Sequence, residues 1–128
     1  MDKNMKILVV DDFPDMRRVI KNMLIGMGFN NIIEADDGIT ALPMLQGDSY
    51  DLLVTDWSMP GMQGIDLLKY VRADQRLKSL PVLMVTSEQK QEQINEAKQA
   101  GVDGYILKPF SAKTLKENLE NIFGRFDD

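Results

Sequence analysis

Polar side chains end four short apolar runs in this chain. Asp11 and Asp12 end the first run, Asp56 the second, Thr86 the third and Lys108 the fourth. If the runs are parallel strands, their carboxyl ends meet at the same edge of one sheet, which is where open α/β sheets place their sites. Three carboxylates, a hydroxyl and an ammonium would then share one pocket. Such a pocket suits a divalent cation and a phosphoryl group.

Each of these groups has an ordinary structural explanation when it is taken alone. An aspartate before a helix is often a cap, a threonine at a strand end is usually a satisfied hydroxyl, and a lysine is usually solvated. Their order along the chain is what indicates a site, because each group ends its own strand. Three neighbouring carboxylates repel one another unless a cation compensates them, and Mg²⁺ prefers oxygen ligands. Lys108 would supply a second positive charge beside the metal.

The composition narrows the chemistry further. The 128 residues include 15 basic and 20 acidic side chains, a net charge of −5, which argues against nonspecific binding to nucleic acid or to anionic membranes. The chain has no histidine and no cysteine, so His-containing triads, thiolate nucleophiles and Cys-ligated zinc are excluded. The groups left for chemistry are carboxylates, hydroxyls, lysine and the backbone, with or without a metal ion.

No segment has the length expected of a signal peptide or a membrane span. The first apolar run is only four residues long, and a span needs roughly 20. We therefore expect a cytoplasmic protein, with no membrane or nucleic-acid partner.

Strand and helix patterns alternate along the whole chain. Helices are predicted to begin near Pro14 and Ser111, and Pro43 is a local irregularity within another. The predicted strands are residues 6–10, 31–34, 51–55, 82–85 and 105–107, and predicted helices include 39–45 and 89–100. Five such units of strand and helix predict a parallel sheet covered on both faces. Right-handed crossovers make this a doubly wound, flavodoxin-like α/β fold with strand order 2-1-3-4-5, in one domain over residues 1–128.

The helical faces differ in polarity. The first helix is predicted to bury one apolar face, and the last helix another. The face of the first helix contains Met16, Val19, Ile20, Met23, Leu24 and Met27, and that of the last contains Leu115, Leu119, Ile122, Phe123 and Phe126. The helix over residues 89–100 is unusually polar, and only Ile94, Ala97 and Ala100 indicate a buried side.

Over essentially its whole length the sequence resembles a response-regulator receiver domain, and most specifically the CheY-type chemotaxis regulators, which consist of this one domain. The segments that carry the resemblance are Val10-Asp11-Asp12-Phe13, Met16-Arg17-Arg18, Glu34-Ala35-Asp36-Asp37-Gly38, Thr55-Asp56-Trp57-Ser58-Met59-Pro60-Gly61-Met62, Leu80-Pro81-Val82, Ala100-Gly101, Gly104-Tyr105 and Lys108-Pro109-Phe110. The Asp-Trp-x-Met-Pro stretch together with Met-Arg-Arg is more specific than the general receiver pattern.

The resemblance implies a two-component signalling role with defined site residues. Asp56 would accept a phosphoryl group from a partner histidine kinase. Asp12, Asp56 and the backbone carbonyl of Ser58 would ligate Mg²⁺ directly, and Asp11 would help through water. The chain would not be an enzyme in the usual sense, since it would only catalyse its own phosphorylation and dephosphorylation. This role agrees with the chemistry, because phosphoryl transfer needs positioning and charge neutralisation from the protein.

The resemblance also implies a switch. Thr86 and Lys108 would bind the phosphoryl oxygens, and Tyr105 would change rotamer as Thr86 moves. This change would remodel the face formed by the fourth helix, the fifth strand and the fifth helix. The Lys108–Pro109 peptide bond is expected to be cis.

The output is less defined than the site. Candidate partners are the flagellar switch protein and a phosphatase, and we expect a monomer. Ser58 stands where close relatives often have asparagine, a position that affects phosphoryl lifetime, and the fourth helix is polar where the motor-binding relative has small or basic residues. Chemotaxis and control of the flagellar motor are therefore the expected output, and a phosphate sink or a receiver with a non-motor partner is the alternative.

The residues fit two functions of other classes less well. A haloacid dehalogenase-type phosphatase using Asp11 would need a second aspartate two positions later, where this chain has Phe13. A flavin binder would need a Ser/Thr/Gly-rich phosphate loop after the first strand, and the acidic segment from Asp12 to Asp15 would repel phosphate. A flavin protein would also be yellow, and this protein is expected to be colourless.

Overall fold

Five strands alternate with five helices in the computed structural model, which describes residues 1–124. In chain order the elements are β1 (Lys6–Val10), α1 (Pro14–Gly26), β2 (Asn31–Ala35), α2 (Gly38–Gly47), β3 (Leu52–Thr55), α3 (Gly64–Ala73), β4 (Val82–Thr86), α4 (Gln91–Gln99), β5 (Gly104–Leu107) and α5 (Ala112–Phe123).

The strands form one parallel sheet in the order β2-β1-β3-β4-β5. The predicted fold class and strand order are both confirmed. The register places Val10 opposite Thr55, and Thr86 opposite Leu107. Since all strands point the same way, the residues that follow these pairs lie at one edge of the sheet, and this edge holds the candidate site.

Two hydrophobic cores lie on opposite faces of the sheet. Alternate residues of a strand point to opposite faces, so Leu8 and Val10 of β1 pack beneath α2 and α3, whereas Ile7 and Val9 pack beneath α1 and α5. The central strands β1, β3 and β4 are almost fully buried, while β2 and β5 are partly exposed because they are the edge strands. The buried central strands therefore carry Asp11, Asp56 and Thr86 at their ends, whereas Lys108 follows the edge strand β5.

The predicted helix signals hold with a few differences. Pro14 starts α1, the Ser111 hydroxyl accepts a hydrogen bond from the amide of Thr114, and α2 continues through Pro43. Val19 is 41% exposed, so it does not belong to the buried face of α1. Phe126, predicted for the buried face of the last helix, lies outside the described residues.

No helix within residues 1–124 is long and apolar enough to cross a membrane.

Candidate metal and phosphoryl site

Asp11 is held at the end of β1 by one hydrogen bond from its backbone and one to its side chain. Its backbone amide donates to the carbonyl of Ala35 in β2 at 3.3 Å. Its Oδ1 accepts a hydrogen bond of 2.9 Å from the amide of Phe13. The side chain is 1% exposed, so this carboxylate is withdrawn from water.

Asp56 follows β3 and is fixed by the neighbouring strand. Its amide donates to the carbonyl of Val10 at 3.0 Å, and its Oδ1 accepts a 2.6 Å bond from the amide of Trp57. Gly64, the first residue of α3, packs against the backbone of Asp56, where an added Cβ would lie 1.8 Å from the Asp56 carbonyl oxygen. The start of α3 therefore supports the Asp56 backbone, and only glycine fits there.

Lys108 reaches across the edge of the sheet to both carboxylates. Its Nζ lies 2.9 Å from Oδ2 of Asp11 and 3.2 Å from Oδ2 of Asp56. Its amide donates to the carbonyl of Thr86 at 2.9 Å, which extends the pairing of β4 and β5 by one residue. The following Lys108–Pro109 bond is cis, as the family resemblance implied.

Three carboxylates share this edge. Oxygen atoms of Asp11, Asp12 and Asp56 lie within 4.8 Å of one another, and the described part of the chain contains this single group of acidic side chains able to hold an ion. Asp12 is exposed, so the cluster is open to solvent on one side. One ammonium cannot neutralise three carboxylates, so the cluster keeps a net negative charge that can attract a second cation. The oxygen donors and the open side fit Mg²⁺, which usually keeps several waters.

Burial and ion pairing act in opposite directions on the two inner groups. Burial raises the pKa of Asp11 above its usual value, and the hydrogen bond from Lys108 opposes that rise. Burial lowers the pKa of Lys108, but its hydrogen bond to Asp11 and the charge of Asp56 outweigh burial and raise that pKa overall. Lys108 is therefore a fixed positive charge at neutral pH.

The segment after β4 links the site to Tyr105. The hydroxyl of Thr86, which is buried, accepts a 3.1 Å hydrogen bond from the amide of Glu88. The hydroxyl of Tyr105 donates to the Glu88 carbonyl at 2.8 Å, and the Ser58 hydroxyl donates to its carboxylate at 3.0 Å. Glu88 therefore contacts three of the predicted residues.

Glu88 itself was missed in the sequence. A glutamate in a polar loop belongs to no helical or strand periodicity and to no motif. The one feature that could have indicated a role for Glu88 is its position two residues after Thr86.

The structure thus brings Asp11, Asp12, Asp56 and Lys108 into one pocket, with Thr86 buried at the end of the adjoining strand. Ser58 and Tyr105 lie beside this pocket and meet through Glu88 rather than directly.

A separate cleft of about 330 Å³ lies at the opposite edge of the sheet. Tyr50, Arg76 and Leu80 are among its lining residues, and it contains none of the predicted site residues. The cleft is therefore separate from the acidic cluster.

Comparison with known proteins agrees with this geometry. The family model for the response regulator receiver domain matches residues 7–120. The chain is 67% identical over 125 residues to chemotaxis protein CheY-3 of Vibrio cholerae, covering 98% of this chain and 96% of that protein. It is also 67% identical over 121 residues to chemotaxis protein CheY of Pseudomonas aeruginosa, covering 94% and 98% of the two chains.

Solved structures share the fold. CheY4 of Vibrio cholerae superposes with a TM-score of 0.86 at 33% identity, covering 94% of this chain and 99% of that one. The receiver domain of a sensor histidine kinase from Pseudomonas aeruginosa, described with a magnesium ion coordinated in its active-site cleft, has a TM-score of 0.85 at 28% identity, covering 94% and 98%. The sheet order, the acidic cluster with its lysine and the sequence matches agree, and the chain belongs to the response regulator receiver domain family as a CheY-like member.

Proposed function

We propose that this protein is a two-component response regulator that accepts a phosphoryl group on Asp56 and passes the signal through its α4-β5-α5 face in chemotaxis. Receiver domains of this type bind Mg²⁺ at an acidic site and have histidine kinases as partners. The observation that carries the proposal is the Lys108 ammonium, which lies between the carboxylates of Asp11 and Asp56 and beside a third carboxylate, that of Asp12.

Asp56 is the acceptor in this proposal. One oxygen of its carboxylate attacks the phosphorus of a phosphohistidine on the kinase. A new P–O bond forms as the P–N bond breaks, and the imidazole leaves with the electron pair of that bond. The transfer needs no base on this chain, because a carboxylate has no proton to lose. The product is an acyl phosphate on Asp56.

The remaining side chains supply charge and position. Asp12, Asp56 and the carbonyl of Ser58 are the proposed direct ligands of Mg²⁺, with Asp11 acting through water. When bound, the ion would neutralise charge on the phosphoryl oxygens. Lys108 is already within hydrogen-bond distance of Asp56. It therefore needs only a small movement to bind a phosphoryl oxygen on that carboxylate.

The proposed switch runs from Thr86 to Tyr105. A phosphoryl group on Asp56 would attract the Thr86 hydroxyl, which at present accepts from the Glu88 amide. Movement of Thr86 would break that bond and release the Glu88 carbonyl from the Tyr105 hydroxyl. The packing of Tyr105, which belongs to β5, would then change beside α4.

The proposed output is binding to the flagellar switch protein, with a phosphatase as a further partner. A second candidate output is a phosphate sink or a non-motor partner. The polar surface of α4 favours this second candidate, since Gln91 donates to Asn95 there and few apolar groups are exposed.

The test of the acceptor uses acetyl phosphate and Mg²⁺. We expect the mass of the intact protein to rise by one phosphoryl group, and EDTA should prevent the rise. Asp56→Asn should remain unlabelled. Asp15→Asn is the matched control, because Asp15 is exposed and pairs only loosely with Arg18. Equal labelling of Asp56→Asn and the wild type would refute the assignment.

A further inference from the structure

Arg17 belongs to the Met-Arg-Arg segment and has no role in the proposed chemistry, yet its side chain is only 14% exposed. Its Nη1 donates to the backbone carbonyl of Asp11 at 2.6 Å. Its Nε lies 3.4 Å from a carboxylate oxygen of Glu34, and its Nη2 lies 3.3 Å from one of Asp36. One guanidinium on α1 therefore joins the end of β1 to the end of β2.

The bonded carbonyl belongs to the peptide unit that connects Asp11 to Asp12. A peptide unit is planar, so fixing its carbonyl oxygen fixes the orientation of the whole unit. On the other side of Asp12, the amide of Phe13 is held by the Asp11 carboxylate at 2.9 Å. The backbone of Asp12 is therefore anchored at both of its peptide bonds, although its side chain is exposed.

We infer that Arg17 is a positioning residue of the metal site, which aims the carboxylate of Asp12 by fixing the peptide unit between Asp11 and Asp12. The inference rests on the proposed Mg²⁺ site. Groups that hydrogen-bond to a ligand residue, rather than to the metal, commonly set metal affinity. Glu34 and Asp36 act as the anchors that hold the guanidinium against the Asp11 carbonyl.

Charge and geometry predict opposite effects when Arg17 is replaced. Arg17 is a positive charge near a cation site, so its removal should strengthen Mg²⁺ binding if electrostatics were its only influence. If Arg17 orients Asp12, its removal should weaken Mg²⁺ binding in spite of the lost repulsion. The sign of the change therefore separates the two explanations.

The test is an Mg²⁺ titration followed by the fluorescence of Trp57, whose amide is bonded to Asp56. The variants are Arg17→Gln, Arg17→Lys and Arg18→Gln. Arg18→Gln is the matched control: it removes the same charge at the next position, where the side chain is 71% exposed and 3.8 Å from Asp15. Urea unfolding in EDTA, measured for each variant, shows that the titrated protein is folded.

We expect the dissociation constant for Mg²⁺ to rise roughly tenfold in Arg17→Gln. Arg18→Gln should stay within about twofold of the wild type, because exposed charges are screened. Arg17→Lys keeps the charge but lacks the planar fork that spans three acceptors, so it should also bind Mg²⁺ more weakly. This variant decides the question if Arg17→Gln does not fold.

Unchanged or tighter Mg²⁺ binding in the folded Arg17 variants would overturn the inference. A wild-type protein that shows no saturable Mg²⁺ response would instead refute the proposed metal site itself.

Discussion

Asp11 is an unfavourable residue for the metal-free fold. It is 1% exposed, and burial raises its pKa above the usual value of 3.8. A carboxyl whose pKa is higher in the folded state holds its proton more tightly there than in the unfolded chain. Its contribution to the free energy of unfolding therefore falls as pH rises above about 4. Lys108 offsets part of this penalty but does not remove it.

The first prediction follows from this loss of stability with rising pH. Asp11→Asn removes the titrating group, so in EDTA the variant should gain stability relative to the wild type as pH rises from about 4 to 7. Urea unfolding of both proteins across this range measures the difference, and Asp15→Asn controls for the loss of an exposed carboxylate. Lys108 keeps its charge throughout the range, because its pKa is raised. A difference that is constant or shrinks with rising pH would contradict the prediction.

At the residue scale, the sequence predicted the cluster but not its supports. Asp11, Asp12, Asp56 and Lys108 could be placed together because each follows a strand, and strand ends in a parallel sheet share an edge. The hydrogen bond from Arg17 to the Asp11 carbonyl could not be predicted in this way. It depends on how far a long side chain reaches from a helix, which the periodicity of the sequence does not show.

At the element scale, the first residue of α3 packs against the backbone of Asp56 and supports its position. Gly64→Ala would place a Cβ 1.8 Å from the Asp56 carbonyl oxygen, so either the helix or the β3 end must move. We expect a loss of stability on the order of 3 kcal/mol, as for an overpacked core, together with slower labelling by acetyl phosphate.

The control for this second prediction is Gly47→Ala at the end of α2, where an added Cβ meets no atom within 4 Å. That variant should gain roughly 0.5 kcal/mol from the stiffer unfolded chain and should label normally. Urea unfolding and a labelling time course measure both variants. A Gly64→Ala protein with wild-type stability and labelling would show that the contact is easily relieved.

The third prediction concerns Lys108, which follows β5, and its link to Tyr105 in that strand. Lys108→Ala should still be labelled on Asp56, since the acceptor remains. It should lose the phosphorylation-dependent change at Tyr105, because no ammonium draws the phosphoryl group towards the end of β5. Backbone NMR shifts of β5, recorded with and without BeF₃⁻, measure the change. A full shift in the variant would mean that Lys108 is not part of the switch.

Element boundaries could be predicted where a side chain marks them. Ser111 marks the start of α5, because its hydroxyl accepts from the amide of Thr114. The start of α4 was predicted at Gln89 but lies at Gln91. The N-cap residue is Lys90, whose side chain makes no capping hydrogen bond. Without a capping residue the sequence gives no sharp signal for a helix start.

For the whole molecule, the polarity of the α4-β5-α5 face limits how tightly an apolar partner can bind it. Leu107 is 40% exposed, whereas Ile94 and Tyr105 are half-buried. Two polar groups of this face already have partners within their own helices: Gln91 donates to Asn95, and Asn118 donates to the Thr114 carbonyl. A partner that covers them must remove them from water, which weakens binding unless it replaces their hydrogen bonds.

The last prediction is that the activated protein binds the flagellar switch more weakly than a motor-binding CheY does. Unfavourable positions near an interface centre can each cost on the order of 1–2 kcal/mol, so two or three of them lower affinity by roughly one to three decades. The measurement is a titration of the BeF₃⁻-activated protein with the N-terminal segment of the cognate switch protein, beside a motor-binding CheY. Leu107→Ser should weaken the remaining binding further, while Ile25→Ser, at a 50% exposed position on α1, should not. Affinity equal to that of the motor-binding CheY would refute the weak-output prediction and leave motor control as the output of this face.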